Sequence, residues 1–188
     1  MESTSEIFLR EQLSLIAEQE IGKKMDSVIP KLQEIAKIFA IVEKDEKSPF
    51  RNVLAVANES GSSIEVIKNY IRYQVGRRGA SEIWRRKNPQ NQKLFATAVV
   101  EQIDSLLIDE SQKIVKSLRE TLGHSTRRGN LHNYLENAEN REQLIKNIHL
   151  KLTQLYLGYL AREHTALLGE KNPKNHTESK SKPHLTSK

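Results

Sequence analysis

The sequence predicts an all-α protein: a helical bundle of six to seven helices with a disordered C-terminal tail. Three observations predict it. Apolar residues recur at steps of three and four through most of the 188 residues. Glycine and proline number only 8 and 5, too few for the closely spaced turns of an all-β chain. Hydrophobic residues make up 37% against 29% charged, enough for a lean core between surface-rich helices. The expected organisation is a single helical domain, residues 1–169, comprising an acidic helical section (1–45) and a basic helical core (48–169). A Lys-rich tail (170–188) follows, with two prolines and one bulky aliphatic, Leu185, too little apolar surface to offset the entropy of ordering it.

The first helix is expected from Ser5 to Glu20, with Ile7, Phe8, Leu9, Leu13, Ile16 and Ala17 on its apolar side and Gly22 as its stop. A second opens near Asp26, with Pro30 in its first turn and Val28, Leu32, Ile35, Phe39 and Val42 at heptad spacing. Pro49 starts a short helix that buries Phe50, Val53, Leu54 and Ala57. Ser62 and Glu65 have capping-box spacing, and a helix follows with Ile64, Ile67, Ile71 and Val75 inside and Lys68 and Arg72 on its outer face. Ala80 to Lys87 reads as a short helix holding Ile83 and the only tryptophan, Trp84; Asn88 to Asn91 reads as a turn. A long helix runs from Lys93 to Leu122, with a break allowed at Asp109-Glu110. A polar loop with Arg127-Arg128 leads to a short helix, Leu131 to Ala138. The last helix spans Glu139 to Leu168, with Leu144, Ile148, Leu152, Leu155, Tyr159 and Ala166 inward and Gly169 closing it. Four strand-like stretches, Val53–Ala57, Phe95–Val100, Ile103–Ile108 and His149–Leu157, each lie inside a longer helical pattern.

Much chemistry is excluded. The chain has no cysteine, hence no disulfide, thiolate metal site or cysteine nucleophile. There is no P-loop, no His-Glu-x-x-His, no Gly-x-Ser-x-Gly and no glutamate followed by histidine at three. The aspartates, Asp26, Asp45, Asp104 and Asp109, form no Asp-x-Asp pair, and Asp104 and Asp109 do not share a helix face. His149 and His164 are separated by about 22 Å of helix and cannot ligate one ion. No metal, no cofactor and no catalytic residue is expected, and a helical enzyme stays open only through tertiary convergence. No apolar run approaches the ~18 residues of a membrane helix, and the first residues lack a basic signal region. The expectation is a cytoplasmic protein with no membrane partner.

The charge is concentrated. Residues 1–65 carry 8 Lys/Arg and 12 Asp/Glu. Residues 66–93 carry Lys68, Arg72, Arg77, Arg78, Arg85, Arg86, Lys87 and Lys93 against Glu82 alone. Arginines present planar, multi-donor groups to phosphate, and Tyr70, Tyr73 and Trp84 are interleaved with them. Such a segment suits a nucleic-acid backbone, bound without base readout and with salt sensitivity. The plainer alternatives are a solvated helix face, cations at a helix C-terminus, and aromatics that belong to the core. Gly76-x-x-Gly79 also has the form of the phosphate-clamping loop of KH domains, a fold that would require Val53–Ala57 and Phe95–Val100 to be strands.

Tyr73-Gln74-Val75-Gly76-Arg77, ending an amphipathic helix, resembles the Tyr-x-x-Gly-Arg element of small subunits of type III CRISPR effector complexes. Tyr159-Leu160-Ala161-Arg162-Glu163-His164 distantly resembles the closing helix of that family. The resemblance covers roughly residues 60–168, and the acidic section before it departs from the family pattern. It implies a non-catalytic helical subunit, stacked in copies within a ribonucleoprotein and tracking guide and target RNA. The resemblance nominates Arg72 and Arg77; charge nominates Lys68, Arg78, Arg85, Arg86, Lys87, Arg127 and Arg128. The expected partners are RNA, other subunits of the complex and further copies of the chain. The alternative is a helical adaptor that acts through protein contacts alone, its acidic and basic sections opposed within or between copies.

Overall fold

The computed structural model describes residues 4–42, 48–124 and 129–171. Residues Thr4–Ile38 form one helix, α1, of 35 residues. The break expected at Gly22 does not occur, because the apolar stripe passes through it in phase: Leu13, Ala17, Ile21, Met25, Val28, Leu32 and Ala36 are all buried. Ile7 and Phe8, expected on the apolar side, are exposed, because the buried stripe begins only at Leu13. A glycine inside a helix costs only about 1 kcal/mol relative to alanine. Pro30 costs more, about 3 kcal/mol, but it stands on the exposed side while the stripe beneath it is covered. The helix ends in a Schellman turn. Ile41 N–H donates to the Ala36 carbonyl and Ala40 N–H to that of Lys37, with Ala40 in the left-handed region at φ 46°.

Helix α2 spans Arg51–Ala57 and α3 spans Ile64–Gly76. The cap of α3 is Ser63, whose Oγ accepts from Val66 N–H at 3.3 Å; the expected capping residue, Ser62, is one position too early. A single 3₁₀ turn, Glu82–Arg85, replaces the expected helix over Ala80–Lys87. The turn at Asn88–Asn91 is present, closed by Asn88 N–H to the Lys93 carbonyl and an isolated bridge between Lys87 and Leu94.

Helix α4 (Phe95–Gln102) runs through a π-helical segment, Ile103–Leu107, into α5 (Ile108–Gly123). The irregularity therefore precedes Asp109-Glu110. Its cause is tertiary: buried His149 bonds the Ile103 carbonyl through Nε2 at 2.8 Å. A carbonyl only accepts, so Nε2 carries the proton. Helices α6 (Gly129–Glu136) and α7 (Ala138–Lys171) complete the fold. Glu170 and Lys171 belong to α7, so Gly169 does not end it; the remainder of the tail expected to be disordered lies outside the described residues.

The long helices α1, α5 and α7 pack together, and α2, α3, the 3₁₀ turn and α4 close one end. There an aromatic cluster forms: Phe50 meets Trp84 edge-on at 5.4 Å, Phe95 at 6.3 Å and the His164 ring at 5.7 Å. Phe39 adds α1 through Phe95 at 5.4 Å. All four strand-like stretches lie within helical structure, which removes the KH reading. Among the described residues no helix is long and apolar enough to cross a membrane.

Candidate nucleic-acid interface

The basic segment divides into cations held by the fold and cations left in solvent. Lys68, expected on the outer face of α3, is buried at 9% exposure. Its ammonium contacts Asp104 of the π segment at 2.8 Å and Glu65 at 2.7 Å. The bond to Asp104, then that to Glu65, holds its pKa above the usual lysine value. It is a strut between α3 and the long helix, not a free phosphate ligand.

Arg85 is likewise occupied. It donates to the Val75 carbonyl at the end of α3 at 2.9 Å, to the Ala80 carbonyl at 3.3 Å, and to both oxygens of Glu82 at 2.6 and 3.2 Å. Hydrogen bonding to Arg85 keeps the Glu82 carboxyl below its usual range. Arg86 reaches the other way and donates to the Phe39 carbonyl at 3.4 Å and to that of Ala40. Both arginines thus cap helix C-termini, Arg85 that of α3 and Arg86 that of α1. Unpaired carbonyls concentrate negative potential at such ends. Nomination of Lys68, Arg85 and Arg86 by charge is corrected by this geometry.

Arg72, Arg78 and Lys87 are exposed and Arg77 is half-buried; among the described residues none of these four side chains has a hydrogen-bond or ion-pair partner. Arg72 stands on α3 just before its last turn, next to Tyr73 in the chain. Arg77 follows the helix in extended conformation, and Gly79 reverses the loop at φ 74°. The Tyr73 ring is 55% exposed and leans on Tyr70 at 5.8 Å. Trp84, in contrast, is fully buried, with its indole N–H on the Pro49 carbonyl at 3.3 Å. One aromatic of the segment is therefore available to a ligand and one is core. Arg127 and Arg128 lie outside the described residues.

A second cation–aromatic grouping, missed in the sequence, lies on α7. The expected inward face included Leu155, Tyr159 and Ala166. Leu144, Ile148 and Leu152 are buried as expected, but so are His149, Thr153, Tyr156, Leu157, Leu160 and His164, while Leu155 and Tyr159 are half-buried and Ala166 is exposed. Arg162 lies over the Tyr159 ring, its guanidinium carbon 4.8 Å from the centroid. The signal was the spacing of Lys151, Tyr159 and Arg162, eight and three residues apart on one helical stripe.

Among the described residues no group of three His, Asp or Glu side chains is placed to hold a metal ion. Comparison with protein-family models, curated proteins and solved structures returns no match.

Proposed function

We propose that this protein is a non-catalytic, RNA-binding helical subunit of a CRISPR-type RNA-guided effector complex, acting in the cytoplasm beside other subunits and further copies of itself. The observation that carries the reading is the set of unpartnered cations at the end of α3 and in the loop after it, with Tyr73 exposed among them. Arg72, Arg77, Arg78 and Lys87 offer charge to phosphates, and Tyr73 offers a ring face to an unpaired base. The Tyr73–Arg77 element that resembles the small-subunit family falls on this same turn. None of these side chains is positioned to read a base edge, so the contact, phosphates plus a stacked ring, is independent of sequence.

The test is R77E/R78E measured by fluorescence anisotropy with a single-stranded RNA. Affinity should fall by about tenfold or more, and the slope of log K against log salt should flatten by one to two units. Helicity should be unchanged. Equal affinity in variant and wild type, or binding constant from 50 to 300 mM salt, would overturn the proposal.

A helical adaptor is the second reading, favoured by one observation. Phe8 and Leu15, seven residues apart on α1, are 57% and 66% exposed. Loss of a co-purifying protein in F8E/L15E, with no RNA retained by the wild type, would favour it.

A further inference from the structure

Along α7, Lys151, Leu155 and Tyr159 form a ridge between two clefts. The cleft toward α1 is lined by Glu18 and Asp26 among others. The cleft toward α2 has a volume of about 210 Å³ and, among the described residues, no carboxylate in its lining. Its polar lining is Asn58, Lys151, Gln154, Tyr159 and Arg162, and Gly158 is also part of the lining. A Cβ added at Gly158 would meet nothing within 4 Å, so the helix is notched there. Glu163, the neighbour of Arg162, is turned to α1, where Gln33 donates to it at 3.0 Å. Lys151 is exposed and has no partner among the described residues.

These groups divide into three kinds. Tyr159 and the guanidinium stacked on it present a planar, polarisable surface of the sort on which bases stack. Gln154 donates its amide to the Ala57 carbonyl at 2.8 Å, which pins the side chain and leaves its oxygen as an acceptor. Asn58 adds an exposed donor and acceptor. Lys151 and Arg162 are eleven residues apart, about 16 Å along the axis, and bracket the notch with positive charge.

We infer that the notch between α2 and α7 seats one nucleotide of a single-stranded nucleic acid, with the base against Tyr159 and Arg162 and the strand's backbone running along the cleft toward Lys151. The inference rests on nucleic acid being the ligand, but it assigns a contact separate from the loop after α3 and one that engages a base. Full-length ¹⁵N-labelled protein titrated with a 10-nucleotide oligouridylate tests it. Amide shifts at Asn58, Gly158, Tyr159 and Arg162 are expected. Y159L should weaken binding at least about fivefold while Y159F retains it. G158L should weaken binding similarly, because its side chain fills the notch from an open helical position and leaves the fold intact.

Shifts confined to residues 72–87 would overturn the notch and leave the loop reading standing. Shifts at the notch with a silent loop would do the reverse. Equal shifts with decaglutamate would overturn the nucleotide in favour of a site for any polyanion, an acidic peptide included. No shift anywhere would remove both.

Discussion

Two pairs of adjacent arginines, Arg77-Arg78 and Arg85-Arg86, look alike in the sequence and behave oppositely in the fold. Arg85 and Arg86 turn inward to carbonyls at the ends of α3 and α1. Arg77 and Arg78 follow the end of α3, and their side chains have no protein partner among the described residues. A helix end is a local sink of negative potential, but only a side chain that can reach it from a fixed point responds. The 3₁₀ turn fixes Arg85 and Arg86 beside buried Ile83 and Trp84, whereas the loop at Gly79 holds Arg77 by its backbone alone, through bonds to Tyr73 and Ala80. Density of charge in a sequence window therefore overstates the charge offered to a ligand.

The anchor beneath the inward pair gives the largest expected effect. Trp84→Ala should cost about 3–5 kcal/mol, read as a lowered midpoint in urea followed by circular dichroism. A loss below 1 kcal/mol would mean that the aromatic cluster does not hold this end together. Removal of one inward arginine comes next. Arg86→Ala leaves the Phe39 and Ala40 carbonyls without that donor and should cost about 1–3 kcal/mol. At 2–4 °C per kcal/mol for a chain of this length, that is a fall of several degrees in melting temperature, with RNA affinity changed far less.

A smaller effect separates His149, which bonds the Ile103 carbonyl of the π segment, from solvent-exposed side chains. Burial holds the His149 pKa below the usual histidine value, against the opposing pull of its bond to Ile103. The unfolded chain then takes up a proton as the pH drops through about 6.5 while the folded chain does not. Stability should fall with pH from that point, no more steeply than about 1.4 kcal/mol per pH unit for this group. His149→Gln should lose that part of the slope in urea titrations at pH 7, 6 and 5, and an unchanged slope would contradict the assignment. Smallest is Ala40→Gly. It relieves a left-handed alanine at the end of α1 and should raise stability by up to about 1 kcal/mol.

The helices themselves were readable because their signals are local. The stripes of α1, α3 and α5 follow the apolar steps of the sequence, and Gly76, which ends the Tyr73–Arg77 helix in the sequence, is the last residue of α3. What escaped is what depends on partners far along the chain. Gly22 reads as a stop until the stripe on both sides is covered by other helices. The π segment is invisible until His149 meets Ile103 across 46 residues. Lys68 reads as surface because Asp104, which pulls it inward, lies 36 residues away in the sequence. On α7 the expected face holds at Leu144, Ile148 and Leu152 and fails beyond them, because that helix is packed on several sides and a single apolar stripe does not describe it.

The crossed comparison of the two arginine pairs tests the account most directly: melting temperature and single-stranded RNA affinity, both measured on R77Q/R78Q and on R85Q/R86Q. The account predicts that the first variant loses affinity about tenfold and melts within a degree or two of wild type. It predicts that the second melts several degrees lower and, at a temperature where it is folded, binds within about threefold of wild type. Equal loss of affinity in both variants, or loss only in R85Q/R86Q, would contradict the division of the basic segment into a structural pair and a ligand-facing pair.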